Sequence, residues 1–299
     1  MSVDPTLFPV AIIGVGNMGG GMAAHLLAQG WPVQVCDLDS KKSQGFEVFG
    51  AIAGVNAAKI AINSIAVIVC VVDALQTEEV LFGEQGAAHV MQPGQVVLLC
   101  PTIAPAHTED FARRLAERGI HTIDAPMSGG PARARDGSMS LMVACPNTVF
   151  DRYGALVAAL SSKVFRISER VGDGARTKLV NNLLAGINLV GAAEALVMAQ
   201  RMGLDLGRTL DVIEQSSGQS WIGSDRMRRA IAQDYAPRAH MTLLAKDTRL
   251  AVEAAGAAGF TGPLGAAARD AFAGASAAGL HELDDAALFD WMSRPGQSA

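Results

Sequence analysis

The chain is poor in cysteine, has no concentrated positive charge and shows no unbroken apolar stretch of membrane length. Its four cysteines are Cys36, Cys70, Cys100 and Cys145, and no two form a C-x-x-C pair. Three of them close apolar runs that look like strands, which predicts reduced, buried thiols rather than a disulfide framework and fits a cytoplasmic protein. The six histidines, at 25, 89, 107, 121, 240 and 281, have no ligand spacing, so no metal is expected. No Lys/Arg-rich run stands out and the net charge is −5, which leaves a nucleic-acid or anionic-membrane partner without support. An acidic balance does not exclude an anionic substrate, because a single pocket can be basic. No apolar run reaches the ~18 residues of a membrane span, and Met1–Leu7 lacks the basic-then-apolar pattern of an export signal. Internal repeats and a low-complexity linker are also missing.

What is present is a large apolar inventory. Half of the 299 residues are hydrophobic and the mean hydropathy is +0.26, enough for two domains with real cores. Short apolar runs at Val10–Ile13, Val33–Cys36, Ala66–Val72, Val96–Cys100, His121–Asp124, Ser140–Ala144 and Val164–Ile167 alternate with amphipathic stretches such as Met18–Gln29 and Pro105–Glu117. That alternation predicts β-α-β units, hence an α/β domain with a mainly parallel sheet. After Ile167 the texture changes. From Gly172 to Met202 there is no proline, and Leu179, Leu183, Ile187, Val190, Ala193 and Val197 recur at helical spacing, predicting one long helix. Leu206–Gln215, Trp221–Gln233, Met241–Ala258, Leu264–Ala278 and Asp284–Met292 also look helical. The expected division is 1–168 for the α/β part and 169–299 for an all-α part headed by the long helix.

The first strand runs directly into Gly14-Val15-Gly16-Asn17-Met18-Gly19, and a helical pattern follows at once. In a dinucleotide-binding turn the first glycine allows the tight bend, the second lets backbone approach the pyrophosphate, and the third lets helix pack on strand. The helix N-terminus then presents unpaired N–H groups to the phosphates. Asp37 ends the next strand, 23 positions after Gly14, close to the ~20 expected of a carboxylate that accepts from ribose hydroxyls. Together these predict a Rossmann-type domain. A carboxylate at Asp37 repels a 2′-phosphate, which favours NAD over NADP; Lys41 and Lys42 behind it read as a solvated helix face.

Two further stretches carry chemistry. Asp124-Ala-Pro-Met-Ser128-Gly129-Gly130-Pro131 puts a hydroxyl and exposed backbone N–H groups in a compact loop, which suits a carboxylate and equally suits an ordinary turn. Gly172-Asp-Gly174-Ala-Arg-Thr-Lys178-Leu-Val-Asn181-Asn182 opens the long helix, with Lys178 and Asn182 four apart on one face. Lysine is rarely buried without a partner, and a desolvated lysine can exchange a proton near neutrality. A snorkelling surface lysine is the plain alternative.

Taken together these motifs resemble the β-hydroxyacid dehydrogenase (3-hydroxyisobutyrate dehydrogenase-like) family over nearly the whole chain. Gly14-x-Gly16-x-Met18-Gly19 is similar to its cofactor signature, Asp124-Ala-Pro-x-Ser128-Gly129-Gly130 to its substrate signature, the Gly172–Asn182 stretch to its catalytic helix, and Lys246-Asp247 to a late Lys-Asp motif. The resemblance implies an NAD(P)-dependent dehydrogenase acting on a small hydroxy acid. By the same resemblance Lys178 is the acid/base, Asn182 positions substrate, and Ser128, Gly129 and Gly130 clamp its carboxylate. Thr102 falls near the nicotinamide, Lys246 reaches the cofactor, and Val71 and Val72 fall at a cofactor-lining position. There the chain departs from the family: Val71-Val72-Asp73 stands where Leu-Pro is frequent, and Lys246-Asp247 continues with Thr248 rather than leucine. The expected site is a crevice outside the carboxyl ends of the strands. Val164–Ser168, Leu183–Gly186, Gly218–Trp221 and Asp234–Arg238 look most like L-threonate dehydrogenases, which points to a four-carbon sugar acid. Arg133 and Arg135 read either as further contacts to an acidic substrate or as solvent-exposed loop charges. The alternatives are 3-hydroxyisobutyrate dehydrogenase and tartronate semialdehyde reductase. Further off stand an imine reductase and a non-catalytic dinucleotide-binding regulator, relatives that typically lack the lysine. The resemblance also implies a homodimer or homotetramer, for which the long apolar helix is a suitable contact.

Overall fold

The computed structural model describes residues 9–294. Among these residues nine strands form one sheet: β1 (Val10–Ile13), β2 (Val33–Cys36), β3 (Ile52–Ala53), β4 (Ala66–Val69), β5 (Val96–Leu99), β6 (His121–Asp124), β7 (Met127–Ser128), β8 (Ser140–Ala144) and β9 (Lys163–Ser168). The helices are α1 (Asn17–Ala28), α2 (Ser40–Gln44), α3 (Ala57–Ala61), α4 (Ala74–Phe82), α5 (Pro105–Ala116), α6 (Gly130–Asp136), α7 (Asn147–Leu160), α8 (Asp173–Arg201), α9 (Leu206–Glu214), α10 (Trp221–Ile231), α11 (Met241–Ala257), α12 (Pro263–Ala275) and α13 (Leu288–Ser293).

The strand order is β3-β2-β1-β4-β5-β6-β8-β7, with β9 beside β8. From β3 to β6 every pairing is parallel, and β8 runs antiparallel to β6 and β7. The order reverses direction at β1, which places the ends of β1 and β4 at a topological switch point, where open α/β sheets bind ligands. β1, β4 and β5 are buried at every position, as a parallel sheet covered on both faces requires. Ile12, Ile68 and Leu98 point into one apolar layer with α1 and α7, and Ile13, Val69 and Leu99 into the other with Phe111 and Leu115 of α5.

The chain forms two compact units that part between Lys178 and Leu179, inside α8. The first turns of α8 therefore belong with the sheet. The rest of α8 contributes Leu189, Ala193 and Leu196 to a separate core with Met227, Met241 and Phe272. Among the described residues no named strand follows β9.

Three local features differ from the sequence-based expectation. Two-residue strands β3 and β7 are not foreseen by it, because they are too short for an alternating pattern. The helix expected over Leu264–Ala278 ends at Ala275 and passes into a wide turn, Ser276–Leu280, where Gly279 takes φ +89°. The expectation of no segment long and apolar enough for a membrane also needs correction. The 29-residue α8 meets that length and composition, with a mean hydropathy of 1.5 over an 18-residue window. Asn181, Asn182, Asn188 and Glu194 interrupt its apolar residues, which is why no unbroken run shows in the sequence. A helix that supplies core to a compact unit passes the same test.

Candidate active site

The glycine turn joins β1 to α1, and its glycines serve different needs. Gly14 takes φ +87°, and a Cβ there would lie 2.6 Å from the Cys70 carbonyl oxygen. At Gly19 a Cβ would lie 1.9 Å from the Gly14 carbonyl oxygen, so α1 packs on the turn only without a side chain. Gly16 is neither conformationally unusual, with φ −66°, nor crowded, since a Cβ would meet no protein atom within 4 Å. Close approach of a ligand is the remaining physical reason for glycine there. No side chain caps the N-terminus of α1 at Gly16, which leaves its first-turn N–H groups to an anion. These features fit a dinucleotide pyrophosphate.

Asp37 is half-buried at the end of β2. Its Oδ2 accepts from the Val15 N–H at 2.8 Å and its Oδ1 from the Asp39 N–H at 3.0 Å. The ribose-binding candidate is thus tied into the glycine turn, a link the sequence does not disclose. Val71 and Val72 follow β4; Val71 is half-buried and Val72 half-exposed, and the Val72 N–H donates to the Gln76 side chain. The family departure at Asp73 has a local cause: its carboxylate caps α4 by accepting from the Gln76 N–H at 2.8 Å. Thr102 lies half-buried in the loop between β5 and α5.

Ser128 ends β7 and pairs with Ser140 of β8. Gly129 and Gly130 take φ +132° and +78°, left-handed values that side chains resist, so this Gly-Gly pair is conformationally required. The serine hydroxyl and the loop's backbone N–H groups lead into the start of α6, where no side chain caps Gly129. Arg133 and Arg135 lie on α6, half-buried and exposed respectively.

Lys178 is 7% exposed and Asn182 is 8% exposed, one turn further along α8. This excludes the plain surface reading of Lys178. Its helix starts on the sheet. The buried carboxylate of Asp124, at the end of β6, accepts from the Gly172 N–H at 2.8 Å and the Ala175 N–H at 3.0 Å. Burial pushes that carboxyl up to about 6, against the pull of the helix N–H groups.

Within the second unit, Asn182 Nδ2 donates to Asp247 Oδ2 at 2.6 Å, and Lys246 Nζ lies 2.8 Å from Asp247 Oδ1. Asp247 therefore links two predicted site residues and is itself buried. Sequence reasoning names it only within the Lys246-Asp247 motif and gives it no role, although an acid beside Lys246 at the centre of an apolar helix is the signal that could have found one. The four cysteines are unpaired, and burial raises the Cys36 and Cys70 thiols to about 12, so neither is a nucleophile near neutral pH. Among the described residues no group of three or more His, Cys, Asp or Glu is placed to hold a metal.

Comparison with known proteins agrees with this geometry. Residues 9–168 match the family model for the NAD binding domain of 6-phosphogluconate dehydrogenase. Residues 172–292 match the NAD-binding family model of NADP-dependent 3-hydroxyisobutyrate dehydrogenase. An L-threonate dehydrogenase of Cupriavidus necator is 38% identical over 97% of this chain and 98% of its own length. A 3-hydroxyisobutyrate dehydrogenase of Pseudomonas aeruginosa is 35% identical over 93% of both chains. The crystal structure of a 3-hydroxyisobutyrate dehydrogenase from Salmonella typhimurium superposes with a TM-score of 0.90 at 35% identity, covering 95% of this chain and 99% of that one. The chain belongs to the 3-hydroxyisobutyrate dehydrogenase-like (β-hydroxyacid dehydrogenase) family of nicotinamide-dependent oxidoreductases acting on CH–OH groups.

Proposed function

We propose that this protein is a cytoplasmic, NAD-dependent dehydrogenase that oxidises a hydroxyl of a four-carbon sugar acid such as L-threonate. The burial of Lys178 on a helix whose start is fixed to the sheet carries this reading. The name of the 38% identical relative from Cupriavidus necator supports the substrate, and the carboxylate of Asp37 supports NAD over NADP.

In this reading residues 1–168 hold the dinucleotide and 169–299 form the all-α substrate and oligomerisation part. Bound nicotinamide supplies the hydride acceptor. Gly14 to Gly19 seat the pyrophosphate, Asp37 accepts from the ribose hydroxyls, and Val71, Val72, Thr102 and Lys246 complete the cofactor contacts. Ser128, Gly129 and Gly130 grip the substrate carboxylate, and Asn182 orients the substrate. Lys178 Nζ would take the proton from the hydroxyl oxygen as the carbon bearing it gives up hydride and becomes a carbonyl, and would return that proton when the reaction runs in reverse. These groups work by orientation and charge placement.

The same reading makes the protein a homodimer or homotetramer. Val180, Leu184 and Met198 of α8 are 71%, 58% and 61% exposed, a large apolar face for a single chain. Beside it the second unit has a groove of about 590 Å³ lined by Ile187, Val190, Leu210, Ile213 and Leu264 among others. A second copy covering this face is the proposed occupant, and the mass in solution tests it.

The central experiment is a reduction assay with L-threonate, D-glycerate and 3-hydroxyisobutyrate, each with NAD+ and NADP+. The highest kcat/KM is expected for L-threonate with NAD+. Cofactor binding without turnover on any hydroxy acid would overturn the enzymatic reading. Lys178→Ala should lose several orders of magnitude in kcat while NADH binding stays within about threefold.

A further inference from the structure

The proposed proton-transfer lysine lies on a helix whose first turn is seated on a single buried carboxylate. We infer that Asp124 is a positioning residue for Lys178, acting through the N-terminus of α8. The inference rests on the reading of Lys178 as the proton-transfer group.

Asp124 ends β6, the last strand of the parallel run, and is 1% exposed. Its Oδ2 takes both the Gly172 and the Ala175 N–H groups, so one oxygen receives donors on either side of the helix start. Ala175 precedes Lys178 by three residues and shares its face of the helix. A shift of the helix at Ala175 is therefore transmitted to the Lys178 Cα with almost no intervening freedom. A carboxylate at a helix N-terminus also meets the positive end of the helix dipole.

The glycines around Asp173 show that this seat dictates the local sequence. Gly172 takes φ +99°, which turns the chain from β9 into the helix. A Cβ at Gly174 would stand 2.9 Å from Asp124 Cγ and Oδ2, and 2.7 Å from the Met142 carbonyl oxygen. Only a residue without a side chain lets the helix come down onto the carboxylate. Gly172-x-Gly174 and Asp124 are thus two halves of one joint, 48 residues apart or more in sequence. The surrounding ion pairs, Arg170–Asp173 and Arg176–Glu109, are less buried than Asp124 and hold the same turn from outside.

In the proposed chemistry Asp124 touches neither reacting atom, so its effect must pass through Lys178, and a double-mutant cycle reads that directly. The variants are Asp124→Ala, Asp124→Asn, Gly174→Ala and Lys178→Ala, with the Asp124→Ala/Lys178→Ala pair. The readouts are kcat, KM, NADH affinity and the thermal midpoint. Asp124→Ala and Gly174→Ala should each lower kcat at least tenfold, with KM and NADH affinity within about threefold. Asp124→Asn keeps an acceptor oxygen of the same shape without the charge, and should recover part of the loss in Asp124→Ala while staying below the parent. In the Lys178→Ala background, Asp124→Ala should lower the residual rate by less than twofold. Either of two results overturns the inference: a folded Asp124→Ala or Gly174→Ala variant with kcat within twofold of the parent, or a loss of equal size with and without Lys178. If Asp124→Ala does not fold, Gly174→Ala decides it by the same criteria, alone and combined with Lys178→Ala. A Lys178→Ala variant that keeps full turnover would instead remove the reading on which the inference stands.

Discussion

The carboxylate of Asp37 accepts a hydrogen bond from the Val15 backbone N–H at 2.8 Å, so the acid that ends β2 is tied to the turn that ends β1. One side chain therefore shapes the phosphate-binding turn and presents charge where the adenosine ribose is expected. Removing it should do two things at once. Asp37→Ser should raise KM for NAD+ at least tenfold, through the slackened turn and the lost ribose acceptor. It should affect NADP+ less, because the repulsion of a 2′-phosphate goes too. The ratio of kcat/KM for the two cofactors is the measurement, and an unchanged ratio would remove Asp37 from cofactor choice.

The glycines of the turn separate folding from binding. A Cβ at Gly19 would sit 1.9 Å from the Gly14 carbonyl oxygen, whereas at Gly16 it would touch nothing within 4 Å. Gly19→Ala should therefore destabilise the α/β unit by roughly 3 kcal/mol or more, since neither backbone segment can give way cheaply. Gly16→Ala should leave the denaturation midpoint nearly unchanged and weaken NADH at least tenfold. Equal stability losses in both variants would mean that Gly16 is structural after all.

Much of the fold is legible in the amino-acid order itself. Strands β1, β2, β6 and β8 fall where short, mostly apolar runs predict them, because the sheet buries most of their side chains. The span of α8 follows from apolar spacing without proline. What the sequence hides are roles set by distant contacts. Asp124 looks like one residue of a turn, and nothing local says that it receives N–H groups 48 and 51 residues away. Asp247 looks like a neighbour of Lys246 until Asn182, 65 residues earlier, is found donating to it. Asp73 looks like a lapse from the family pattern, and its reason is a cap on the next helix.

The all-α unit has its own buried charge that the proposed chemistry does not use. Asp284 is fully buried; it accepts from Arg229 at 2.8 Å and from the backbone N–H groups of Arg238, Ala239 and Ala286. Burial alone would raise its carboxyl, and these donors together bring it below the usual range. Asp284→Ala takes from the buried Arg229 its buried carboxylate partner, though not its contacts with Ala236 and Asp234, and leaves three N–H groups without this acceptor; it should cost about 3–5 kcal/mol. Arg113→Ala, which breaks exposed pairs with Asp110 and Glu117, should change nothing measurable. Urea denaturation compares the two, and a silent Asp284→Ala would show that the cluster is not holding this unit together.

Asp124 sets a pH dependence in which activity and stability move in opposite directions. Burial lifts its carboxyl to about 6 from an ordinary 3.8, with Asp173 adding to the rise and the helix N–H groups opposing it. Desolvation lifts the buried thiols of Cys100 and Cys145, the Asp124 charge in turn helps to raise them, and both are neutral here. Because the folded value lies above the unfolded one, protonating Asp124 favours the fold: this contribution is complete below 3.8 and is lost as pH rises through about 6. The full linkage is on the order of 3 kcal/mol. Wild type should thus gain stability relative to Asp124→Asn as the pH falls from 7 to 5. Over the same interval the carboxylate gives up the charge that meets the helix N-terminus, so kcat should fall below about pH 6. The acid limb should flatten in Asp124→Asn, whose side chain does not titrate. Paired kcat and thermal-midpoint profiles of the two proteins decide the matter. An acid limb identical in both would assign it to another group and leave Asp124 without a titrating role.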